Sequence, residues 1–238
     1  MNTRWSAIGI CSQTELAKAV DLALRSPPHY NDRETGRTHL LTDGLVELWV
    51  HPNAKCCVPS FYSSTIIKAK ATRWIENDLG CPYCATLCIE RLDLKDRLLY
   101  PLAVTFGNVA LARKLIETNK RIELALSAFV DRAEFWDSED SYKEENPNTT
   151  FGAGWFVPFG PFAAIESVRN NQPRAAFFGT VLQIQNQQNP WTKGFYRHLL
   201  LNCADTIYAV VVADNCLSEL SVGNFVYVEC WFCARYIE

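Results

Sequence analysis

Along most of the chain apolar and polar side chains alternate, and only two stretches keep a helical spacing. Leu16, Val20, Ala23 and Leu24 recur at that spacing ahead of Pro27 and Pro28, and Ser12 with Glu15 three residues on forms a capping-box pattern. A helix is predicted over 12–25, then a polar loop over 29–37. Leu111, Leu115 and Ile116 share one face of a second predicted helix, over 109–116. Residues 40–41 and 46–50 read as a hairpin, because Asp43-Gly44 between them suits a two-residue turn. Alternation predicts further strands over 64–75 and 121–136, while 84–94 fits a strand and a short helix equally.

The last third has the clearest pattern. Residues 175–184, 195–203, 206–213 and 224–236 read as four strands, with Gly179 inside the first and Gly223 at the start of the last. Short strands at this spacing with glycine-marked bends predict a small antiparallel barrel. The order Phe178-Gly179-Thr180-Val181, Asn189 and Thr192, Phe195 to Leu201, a strand over 208–214, then Leu220, Gly223, Val226, Trp231 and Ala234-Arg235 resembles OB-fold barrels. The resemblance implies a fold that often binds single-stranded nucleic acid or protein, and it does not fix the function.

Between these parts, residues 134–147 carry six acids and one lysine and lead into Asn146-Pro147-Asn148, which predicts a solvated loop and a domain boundary. The expected organisation is α+β and β-rich. Residues 1–147 form a sheet with one or two helices, 148–174 an aromatic, Gly- and Pro-containing connecting loop, and 175–238 the OB-like barrel. No internal repeat is legible.

Composition narrows the function classes. Hydrophobic residues make up 48% and charged residues 21%, as in ordinary folded domains. No apolar run approaches a membrane span, and no export signal is legible at the start, so a cytoplasmic protein without a membrane association is expected. Of ten cysteines, Cys203, Cys216, Cys230 and Cys233 sit in apolar runs and are expected as reduced core thiols. Net charge is −3, with five basic and six acidic residues in 151–238 and eighteen and twenty in 1–150. Neither half is a basic module, which weighs against phosphate recognition.

Three groups of residues could carry chemistry. Cys81-Pro82-Tyr83-Cys84, after Gly80, is a zinc-knuckle spacing that Cys56 or Cys57 and His51 could complete, with Cys88 as a further candidate. Adjacent Cys56 and Cys57 would point to opposite faces of a strand, so only one could ligate. The same tetrapeptide resembles the glutaredoxin active site, but β-rich sequence surrounds it instead of the βαβ pattern of that family. Plain thiols are the leading expectation, with no cofactor and zinc as the alternative. Second, Trp191, Lys193, Phe195, Tyr196, Arg197 and His198 interleave rings and cations as a single-strand binding face would, or pack within an ordinary barrel. Third, residues 151–162 gather Phe and Trp among Gly and Pro, which suits an apolar junction loop or a partner surface.

No Ser–His–acid order, P-loop or dinucleotide glycine motif appears, so no enzyme is expected. The leading expectation is a non-enzymatic binding protein with a protein partner, using Trp155, Phe159, Trp191, Lys193, Tyr196 and Arg197. The alternatives are a single-stranded nucleic-acid binder and a zinc or thiol-redox protein centred on Cys81 and Cys84.

Overall fold

The computed structural model describes residues 3–33, 36–76, 85–159, 172–204, 206–216 and 219–237. Its first part holds α1 (Thr3–Ser6), α2 (Gln13–Arg25) and four strands, β1 (Tyr30–Asp32), β2 (Gly36–Asp43), β3 (Val46–His51) and β4 (Cys56–Phe61). These strands form an antiparallel sheet in sequential order. The capping box at α2 is made as the sequence predicts, with the Ser12 hydroxyl accepting from the Glu15 amide and the Glu15 carboxylate accepting from the Ser12 amide. The loop expected over 29–37 instead contains β1 and the start of β2, paired edge to edge.

The remaining strands are β5 (Ile66–Glu76), β6 (Ala85–Leu92), β7 (Leu98–Phe106), β8 (Arg121–Trp136), β9 (Phe156–Phe159), β10 (Arg174–Gln188), β11 (Phe195–Cys203), β12 (Thr206–Ala213) and β13 (Phe225–Tyr236). Helix α3 (Val109–Leu115) lies between β7 and β8, and α4 (Glu139–Glu145) follows β8. The nine strands make one sheet in the order β11-β12-β8-β5-β6-β7-β13-β10-β9, with β10 also bonded to β11 and β8 to β13. Those two extra pairings turn the row into two five-strand circuits. One runs through β10, β11, β12, β8 and β13; the other through β5, β6, β7, β13 and β8.

The circuits share two long strands that exchange roles. β8 and β13 run antiparallel from Trp136 opposite Phe225 to Leu124 opposite Tyr236. The first part of β8 pairs antiparallel with β5, and its middle pairs parallel with β12. The first part of β13 pairs antiparallel with β10, and its Cys233 pairs parallel with Thr105 of β7. This repeat lies in the pairing scheme. The strands of 175–238 therefore do not close among themselves, because their circuit runs through β8.

The core follows the same plan. A single apolar cluster takes Ile67, Leu87, Leu102 and Leu124 from one circuit and Phe177, Leu201, Tyr208 and Phe232 from the other. Residues Leu124 to Val130 of β8 are buried without a break. One face meets this cluster, while Phe129 on the other joins Ala7, Ile8, Ile10 and Trp231 in a second cluster. Burying a side chain such as Leu or Phe stabilises by about 1.5–3 kcal/mol, so a strand covered on both faces is a strong organising element.

Two expectations about the junction change. Residues 134–147 are not a bare loop. β8 continues to Trp136, and Ser138 then caps α4, which buries Tyr142 against Phe178 and Phe225. In the aromatic stretch, Phe156 to Phe159 pairs with β10 as an outer strand of the sheet. Pro158 is tolerated there because an outer strand needs ladder bonds on one side only.

Candidate functional site

The four-stranded sheet docks on the large one through small side chains and backbone. The Ser63 hydroxyl donates to the Leu126 carbonyl at 2.7 Å, and the Ser127 hydroxyl donates to the Phe61 carbonyl at 2.8 Å. All six residues of β3 are buried, and alternation divides them between two environments. Leu48 and Val50 pack against Ala19 and Ala23 of α2. Glu47, Trp49 and His51 face the other way, toward α3 and β13.

On that side the two sheets leave a cleft of about 520 Å³, walled by β3 and β4, the end of β7, α3 and the end of β13. Such a volume suits a small molecule. Glu47 lies at its base, 1% exposed. Its carboxylate accepts from Arg235 Nη1 at 2.7 Å, and the Trp49 indole and Ser60 hydroxyl also donate to it. Burial outweighs these donors and holds the carboxyl pKa above its ordinary value. The Arg235 side chain is 44% exposed and lies over the Tyr62 ring, with its guanidinium carbon 4.9 Å from the centroid.

The walls are aromatic. His29 meets Trp49 edge-on with ring centroids 5.4 Å apart, and burial together with Arg235 holds the His29 pKa below the usual imidazole value. Gly107, between β7 and α3, lets Trp49 lie against the backbone, since a Cβ there would collide with the indole ring. Asn108 caps α3 by accepting the Leu111 amide at its Oδ1, 3.1 Å away. Its Nδ2 is buried and has no hydrogen-bond partner.

None of the binding residues expected from the sequence lies in this cleft. Trp155 is half-buried against Phe178, at 6.0 Å between centroids, and Phe159 is half-buried in β9. Trp191 packs on the clusters beneath α1 and α2. Tyr196 is buried, and its hydroxyl pKa is pushed up to about 12 by that burial. Arg197 lies 3.5 Å from Asp214, and Lys193 is exposed in a turn at φ 65°. The 191–198 segment thus turns most of its rings inward, leaving Phe195 exposed. The reason is local. Fully buried Asn189 donates to the Ile8 carbonyl at 2.7 Å and Thr192 to the Gly9 carbonyl at 2.6 Å, which pins the turn to the N-terminal segment.

Cys81 and Cys84 lie outside the described residues. Of their expected companions, Cys56 is disulfide-bonded, and both ring nitrogens of His51 are engaged. His51 Nε2 donates to the Gly107 carbonyl at 2.7 Å, and Nδ1 faces the Thr38 hydroxyl at 3.2 Å. Among the described residues no group of three or more His, Cys, Asp or Glu side chains is placed to hold a metal. Cys203, Cys230 and Cys233 are buried free thiols, as expected, and burial raises the pKa of each, to about 12 for Cys203 and Cys233. Cys216 is instead exposed in the turn after β12.

Glu47, Asn108 and Arg235 are not among the binding residues expected from the sequence. The signal was present in β3, where Glu47, Trp49 and His51 share one face and make it too polar for core and too aromatic for solvent. Compared with known protein families and with curated proteins, the chain shows no match.

Proposed function

We propose that the protein is a non-enzymatic binding protein whose ligand site is the cleft between the two sheets. One observation carries this: a buried carboxylate fixes a half-exposed guanidinium in an aromatic-walled cleft, beside a buried amide with no partner of its own. Buried donors are normally paired, and an unpaired one costs about 1–3 kcal/mol, so packing alone does not account for Asn108 Nδ2 in the cleft wall. Glu47 already accepts from Arg235, Trp49 and Ser60. That suits a carboxylate that positions an arginine better than one that moves a proton.

Within the same proposal, the two five-strand circuits are OB-like barrels that share β8 and β13. The succession of three antiparallel strands, a fourth strand, and a parallel closure between the third strand and a borrowed fifth supports this reading for each. No helix among the described residues is long and apolar enough to cross a membrane. Seven free thiols among the described residues fit a reducing compartment such as the cytoplasm, and the Cys56 disulfide runs against it.

Soaking crystals of the full chain with a collection of flat aromatic fragments tests the site. Fragments are expected between Trp49, Tyr62 and Arg235. Fragments that gather instead in the open groove lined by Glu139, Lys143, Phe151 and Trp155, with the cleft empty, would overturn it.

A further inference from the structure

We propose that the ligand of this cleft is a small aromatic acid, a carboxylate carried on a flat ring system. The proposal rests on the cleft being the binding site, and it adds the chemical class of what binds there.

Access decides the sign of the charge. Glu47 is 1% exposed, whereas the Arg235 side chain is 44% exposed, so an incoming molecule meets the guanidinium and not the carboxylate behind it. A guanidinium carries five N–H donors in a planar fork, and the 2.7 Å bond to Glu47 uses one nitrogen. Held by Glu47 on one edge and by the Tyr62 ring on its face, Arg235 is fixed in place before any ligand arrives. Ordering cost is thereby lowered, and a carboxylate is the natural bidentate partner of a fixed guanidinium.

Donors also outnumber acceptors. Asn108 has its oxygen committed to Leu111 and its Nδ2 buried without a partner, so the side chain offers a ligand no acceptor. An ammonium ligand would have to displace Arg235 from Glu47 to find a counter-charge. A neutral amide would lose the charge-assisted contact with Arg235. The rest of the surface is ring: Trp49, Tyr62 and Phe106 among the walls, in a volume of about 520 Å³ that matches a one- or two-ring body.

The test compares three molecules of one shape on the full chain: 2-naphthoate, 2-naphthamide and 2-naphthylmethylamine. Binding is followed by the Trp49 indole N–H signal in nitrogen–proton correlation spectra, up to roughly 5 mM, where fragments of this size bind. Naphthoate is expected to bind at least about tenfold tighter than the amide, and the amine weakest. Arg235→Gln should bring acid and amide within about threefold of each other. An amide or amine that binds as tightly as the acid overturns the ligand class and leaves the site standing. So does silence of all three at Trp49 when other fragments occupy the cleft. Silence of all three together with an empty cleft in the fragment soak removes the site itself.

Discussion

At Glu47 two opposing effects meet, and their balance can be measured. Burial raises the carboxyl pKa more than Arg235, Trp49 and Ser60 lower it. The folded chain therefore holds this proton more tightly than the unfolded chain. Stability from the group is fully present below the ordinary carboxylate range and is lost as pH rises through the raised value. Glu47→Gln abolishes that titration, so the stability of wild type relative to the variant should be greatest near about pH 4 and shrink toward about pH 7. Urea midpoints at the two pH values report it, and a gap that widens with rising pH would contradict the assignment. Arg235→Gln has a different consequence, because it leaves a carboxylate at 1% exposure without its ion partner. A loss of about 2–3 kcal/mol is expected, below the figure for a fully buried pair because the guanidinium is half in water.

Elements meet at two glycines that side chains would force apart. A Cβ on Gly194 would collide with the Gly9 carbonyl, and Gly9 itself sits at φ +73°, where any side chain is strained. Gly194→Ala should cost about 2 kcal/mol or more and release the segment before α2 from the β10–β11 turn. Hydrogen exchange at residues 8–10 would rise; unchanged protection would show that the turn does not hold them. These same elements show what could be read without coordinates. The α2 cap, the long alternating run of β8 and the four strands after 174 were legible, because each is specified by neighbours within a dozen residues. The α4 helix was not, since its acids suggest solvent and only Tyr142, packing on Phe178 and Phe225, anchors it. The burial of Glu47 was hidden for a related reason. Its alternating strand reads as half-exposed, and burial of both faces comes from α2 and from Gly107 and Asn108, far away in sequence. Rings at 191–196 suggested an exposed face because nothing local reveals that Asn189 fastens that turn to Ile8.

Across the whole molecule, β8 and β13 bind the two circuits and the single large cluster together. Unfolding should thus be one transition, with fluorescence and far-ultraviolet circular dichroism coinciding. Residues 175–238 expressed alone should not fold cooperatively, because they lack β8; a cooperative melt of that fragment would contradict the shared-strand arrangement. The cleft is a product of the same scale, since its charge pair joins β3 of one sheet to β13 of the other. The most direct measurement uses the seven tryptophans. Their indole signals, with Trp49 assigned from Trp49→Phe, are followed while 2-naphthoate is added to the intact protein. Binding at the cleft predicts a saturable shift of Trp49 with Trp155 and Trp191 still. Shifts at Trp155 or Trp191 with Trp49 unmoved would place binding on the aromatic loop or the 191–198 turn and contradict the account.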